Sequence, residues 1–132
     1  MDNQIKQLLT DASKDLLYPS ESDYPFDYVE WETGNEKLTK KRIRQLTGKA
    51  GKEPVKSVSL EDFFKQVTEE KDWYGEEEKA TAERFRKLQQ VLENNLTHVR
   101  VFKVGKIEID AYIVGKTNEG KCAGLSTKVV ET

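Results

Sequence analysis

Residues 126–132, Ser-Thr-Lys-Val-Val-Glu-Thr, are rich in β-branched Thr and Val up to the last residue. That composition predicts a strand. Most termini fray because nothing ties them down. A held strand would instead deliver the Thr132 hydroxyl, its α-carboxylate and the Glu131 side chain to a fixed place. Oxygen-bearing groups held this way can plug a basic or metal-containing site on another molecule.

Groups that would let the chain do its own chemistry are scarce. His98 is the single histidine and sits where a long helical pattern gives way to a strand. It reads as a helix C-terminal residue favoured by the dipole rather than as a catalytic base. Cys122 has no partner cysteine and reads as a small core residue rather than a nucleophile. A Ser/His/Asp triad would need His98, and nothing frames a serine as its nucleophile. No phosphate-binding glycine loop, zinc spacing or calcium-loop spacing is present. Carboxylates are plentiful, so a carboxylate-only enzyme stays open, and spacing alone selects no pair.

Charge is segregated along the chain. Residues 20–36 carry Glu21, Asp23, Asp27, Glu30, Glu32 and Glu36 with no Lys or Arg, and residues 69–78 are acidic again. Residues 37–56 carry eight basic side chains, from Lys37 to Lys56, against Glu53 alone. One short basic helix beside two acidic blocks is a poor footprint for nucleic acid, which selects net basic domains. Solvated charge accounts for the basic block better. The acidic blocks suit a basic partner, whose opposite field would speed encounter and make it salt-sensitive.

Two stretches combine acid with aromatic character. In Ser20-Glu21-Ser22-Asp23-Tyr24-Pro25-Phe26 a capped turn explains Ser20, Ser22 and Asp23. Glu21 is too long for such a turn and is expected to project outward. In Glu69-Glu70-Lys71-Asp72-Trp73-Tyr74-Gly75 the structural alternative is Asp72 capping the next helix while Trp73 or Tyr74 packs on the core. The same composition suits an interface hot spot, an aromatic anchor ringed by charges.

The elements that must position these stretches follow from periodicity. Ile5, Leu8, Leu9, Ala12, Leu16 and Leu17 recur at helical spacing, predicting a first helix over about 3–17 that Pro19 stops. Residues 26–32 read as a strand. Thr39 caps a short basic helix, 40–46, and residues 55–58 read as a short strand. Ser59 caps the segment carrying Phe63, Phe64 and Val67. Residues 76–96 form the clearest helix, with Ala80, Phe85, Leu88, Val91 and Leu92 on its stripe and Glu76, Glu77 and Glu78 at the positive end of its dipole. Strands at 99–104, 106–114 and 121–130 follow, with Ile107, Ile109, Ala111 and Ile113 on the buried face. Short connections imply an antiparallel meander, hence an α+β fold with helices packed on an antiparallel sheet.

With 132 residues, of which 36% are hydrophobic and 35% charged, the chain is expected to form one domain, 1–132. A lone cysteine allows no internal disulfide. Neither a signal peptide nor a membrane-length apolar run is visible, so a reducing cytoplasm is the expected location.

Taken together, Leu16-Leu17, the 20–26 stretch, Asp72-Trp73-Tyr74 and the 126–132 terminus resemble the nuclease A inhibitor (NuiA-type) family. The resemblance runs in order along almost the whole chain and weakens over 33–56, where this sequence is unusually basic. Asp23 stands where the family usually has Glu. The resemblance implies a protein inhibitor, not an enzyme, of a metal-dependent nuclease that cuts DNA and RNA alike. It further implies partner contacts through Glu21, Asp72, Trp73 and Thr132, with the Thr132 oxygens reaching the partner's Mg²⁺. The inhibitor itself would need no cofactor or metal, and as a monomer it would form a 1:1 complex without touching nucleic acid or membrane. The alternatives are an inhibitor-fold domain with another basic protein partner, and a small carboxylate-based enzyme.

Overall fold

A computed structural model describes residues 2–19, 22–32, 39–47, 54–118 and 120–130. Helix α1 (Asp2–Ser13) buries Leu9 and half-buries Ile5 and Ala12. It ends four residues before the expected residue 17. The Ser13 hydroxyl donates to the Leu9 carbonyl at 2.7 Å, and Asp15 takes a left-handed φ of 63°. Aspartate tolerates that conformation, so the chain reverses at Asp15 rather than at Pro19. Leu16 is buried beyond the turn, and Leu17 enters a strand.

Strands β1 (Leu17–Tyr18) and β2 (Tyr24–Pro25) form a two-residue antiparallel ribbon. Strand β3 (Asp27–Trp31) follows, then α2 (Lys40–Thr47), whose Arg42 amide donates to the Thr39 hydroxyl at 3.1 Å as the cap expectation requires. Strand β4 (Val55–Val58) leads to α3 (Leu60–Thr68), capped by the Ser59 hydroxyl on the Asp62 amide at 3.0 Å.

Helix α4 (Glu76–Asn95) opens at Gly75, whose amide donates to the Glu78 carboxylate at 3.3 Å. Its buried stripe is Ala82, Phe85, Leu88 and Leu92. Ala80 is exposed, because five residues from Phe85 is about 140° around the helix. His98 is not a helix C-terminal residue. It lies in β5 (Thr97–Val104), at φ 53°, where the register shifts between Thr97 and Arg100.

The meander is completed by β6 (Glu108–Lys116) and β7 (Cys122–Val130). The sheet order is β3-β7-β6-β5-β4, antiparallel throughout, so the fold is α+β as expected. Gly105 turns the β5–β6 hairpin at φ +121°, a value L side chains avoid. Ile107 falls in that turn and is 60% exposed rather than on the buried face.

Both faces of the sheet are covered. Phe64, Phe85, Leu88, Leu92, Ile113 and Leu125 centre the larger core between the sheet and α1, α3 and α4. On the other face, Ile43 of α2 closes a smaller cluster over Phe102, Val104, Val114 and Cys122. No helix among the described residues is long and apolar enough to cross a membrane.

Candidate functional interface

One end of the sheet gathers the described parts of the segments that the sequence singled out. Strand β7 arrives there at Val130, opposite Glu108 at the start of β6. The β1–β2 ribbon is tied to the same end: the Thr127 hydroxyl of β7 donates to the Pro25 carbonyl at 2.9 Å. Tyr18 stacks on Phe63 with centroids 4.4 Å apart, and its hydroxyl donates to the Phe63 carbonyl at 2.7 Å. Gln66 in turn donates to the Tyr18 hydroxyl at 2.9 Å. Tyr18 pairs with Tyr24 in a ribbon anchored on α3 and β7. Glu21, Glu131 and Thr132 lie outside the described residues.

The α3–α4 loop is shaped by its backbone. The Tyr74 amide donates to the Lys71 carbonyl at 3.0 Å, which puts Asp72 and Trp73 at the two central positions of a tight turn. Both are exposed, Trp73 to 75%. Asp72 does not cap α4, because Gly75 holds the cap position. Tyr74 is the half-buried member of the aromatic pair and meets Trp73 edge to face at 4.7 Å.

A single arginine fastens this loop to α4. Arg86 donates to the Thr68 carbonyl at 3.0 Å, to Glu70 at 2.8 Å and to Glu83 at 2.9 Å. The hydrogen bond to Glu70, followed by that to Glu83, raises the guanidinium pKa above its ordinary value. Sequence reasoning missed Arg86, because an arginine on a charged helix looks like solvated surface.

Two grooves open at this end and share Gln66. One runs between the ribbon and the loop, lined by Leu17, Pro19, Asp23, Trp73 and Tyr74. The other, lined by Lys65, Lys71, Lys103 and Val129, runs beside the end of β7. Lys71, the residue before Asp72, therefore shares a groove with Val129, the residue before Val130. The described parts of this end carry both signs of charge. The described basic residues of α2 belong to a helix packed on β4 and β5 from the second face of the sheet.

The cysteine and the histidine lie elsewhere. Cys122 is fully buried in the second cluster, and that burial pushes its thiol up to about 11, with Lys116 pulling the other way. His98 sits at the opening of β5, the far end of the sheet from Val104 and the hairpin. Asp27 and Asp110 do line one hollow, with Lys128 directly across the register from Asp110. Burial, then Asp110, raises the Tyr112 pKa there. No group of three His, Cys, Asp or Glu side chains able to hold a metal occurs among the described residues.

The α+β domain presents an exposed tryptophan on a pinned turn, a surface suited to docking. The chain belongs to the nuclease A inhibitor-like protein family, whose profile it matches over residues 3–132. Membership places it in an inhibitor family and implies a nuclease as its protein partner. Comparison with curated proteins finds no match.

Proposed function

We propose that the protein inhibits a metal-dependent, sugar-non-specific nuclease by occluding its active site. Such a nuclease holds a metal and cationic side chains ready for phosphate. Glu21 and Asp72 would meet the cationic groups, Trp73 would be the apolar anchor, and the Thr132 oxygens would replace water on the partner's Mg²⁺, a hard cation that takes oxygen ligands. Buried carboxylates are favourable only when paired, which a basic, metal-bearing cleft provides.

The observation that carries this reading is the fixed turn presenting Asp72 and a largely exposed Trp73 beside the groove that reaches Val129. A preorganised turn supports binding, because it loses little further entropy on docking, roughly 0.5–1.5 kcal/mol saved per side chain not newly immobilised. An exposed tryptophan at the chosen site also favours a docking surface over a substrate pocket.

The test is titration of several metal-dependent, non-specific nucleases with the protein. Cleavage should cease near one equivalent, and a single 1:1 complex should be seen by sedimentation. Undiminished cleavage at excess across that panel would refute the reading. Residues appended after Thr132 should weaken inhibition without lowering stability. Full potency in that variant would remove the role of the terminus and leave the other contacts standing.

A further inference from the structure

Trp73, Asp72 and two residues outside the described segments are too few to make a stable interface. A specific complex buries about 800 Å² on each partner, spread over some twenty or more residues. More of this end of the molecule must therefore be covered, and the structure offers a specific neighbour.

The β5–β6 hairpin turns at Gly105 and re-enters the sheet at Glu108, the residue paired with Val130. Ile107 is one residue away, about 3.8 Å along the chain. It is thus at the shoulder of the strand that leads to Thr132. The hairpin is held in place, since the Gly105 amide donates to the Pro54 carbonyl at 3.0 Å. An isoleucine is not what a turn needs; glycine, asparagine, aspartate and serine serve there for stated conformational reasons.

Single exposed apolar residues are ordinary on protein surfaces. Placement is what separates Ile107 from that background. Among the described residues the exposed large apolar side chains are Leu8, Leu17, Trp73 and Ile107. Leu17 lines the groove with Trp73. Ile107 stands beside the end of β7, whose Val129 shares the second groove with Lys71. Leu8 alone lies at the other end, beside Leu96 and Thr97.

We propose that the β5–β6 hairpin is a second docking arm for the nuclease, with Ile107 as an apolar anchor flanking the terminal strand on the side away from Trp73's groove. The inference rests on the inhibitory reading and extends it. Two apolar anchors spaced along one docking face would exclude water from the contact between them, where charge pairing is strongest.

The experiment compares wild type, Ile107→Asp, Ile107→Leu and the distal control Leu8→Ser for inhibition and for dissociation rate from the immobilised nuclease. Thermal unfolding of each checks the fold. Ile107→Asp should weaken inhibition roughly tenfold or more, mainly through faster dissociation, while Ile107→Leu stays near wild type and Leu8→Ser is unaffected. Wild-type inhibition with an unchanged Ile107→Asp would overturn the docking arm and leave the inhibitor reading intact. An Ile107-dependent dimer with unchanged inhibition would overturn it in the same way. A wild-type protein that leaves every nuclease active would overturn both readings.

Discussion

Arg86 and Thr68 stand eighteen residues apart and meet through a 3.0 Å hydrogen bond from guanidinium to carbonyl. That bond satisfies one of the carbonyls left open where α3 ends, while the other arms of the same guanidinium take Glu70 and Glu83. The loop carrying Asp72 and Trp73 is thereby fastened at its start to α4. Exposed ion pairs contribute little to global stability, so the consequence belongs to the geometry of the loop. Arg86→Met should leave the unfolding midpoint nearly unchanged and weaken inhibition roughly three- to tenfold, the scale of reordering one or two side chains on binding. Faster amide exchange at residues 70–74 in the free variant would accompany it. Unaltered inhibition would show that the loop holds its shape without the arginine.

Trp73 is three-quarters exposed and contributes little to the core. Trp73→Ala should therefore change the unfolding free energy by no more than about 0.5 kcal/mol. At the centre of an interface the same truncation costs about 2 kcal/mol or more, roughly thirtyfold in affinity. Denaturant unfolding and nuclease titration on one preparation separate the two effects. A large stability loss would assign Trp73 to packing instead.

The elements themselves were largely legible in the sequence, because α4 and the β5–β7 meander carry clean periodicities. The departures occur where local chemistry overrides the pattern. The apolar stripe of α1 continues to Leu17, yet the left-handed Asp15 ends the helix. The alternation of β6 extends back to Ile107, yet the Gly105 turn takes that residue out of the sheet. Pairing of β3 with β7 joins segments about a hundred residues apart, which periodicity cannot convey. The second core cluster was hidden because its helix, α2, offers the fully buried Ile43 among Lys40, Lys41, Arg42 and Arg44. At the candidate interface composition singled out Asp72 and Trp73 without foretelling their turn, whereas Arg86 and Ile107 acquire meaning only from neighbours distant in sequence.

Gly124 marks the point where β7 admits no side chain. A Cβ there would lie 1.8 Å from the Ile113 carbonyl oxygen and 2.8 Å from its carbon. Both belong to the backbone of β6, so no rotamer change relieves the overlap. Gly124→Ala must spread the two central strands, and a loss above about 3 kcal/mol is expected from such overpacking of a sheet interior. Chemical denaturation, or failure to recover folded protein, reads this out. A stability within 1 kcal/mol of wild type, to order of magnitude, would mean that β6 and β7 pair differently.

Cys122 gives a pH signature of the second cluster. Its thiol is pushed up to about 11 by burial, against about 8.5 for an unfolded thiol. Above pH 8.5 the unfolded chain loses this proton and the folded chain keeps it, so the unfolded state binds fewer protons and stability falls as pH rises. The contribution is fully present below the unfolded value and disappears as pH climbs towards 11. Its full size is roughly 3 kcal/mol. Tyr112, raised by burial and by Asp110, adds a loss of the same sign. Urea unfolding at pH 8 and pH 10 should show wild type losing more stability than Cys122→Ala, since the variant lacks the titrating group while keeping Tyr112. Thiol reagents at pH 8 should label the native protein slowly and the urea-unfolded chain at once. Equal slopes for the two proteins would mean that α2 and the sheet leave the thiol in contact with water.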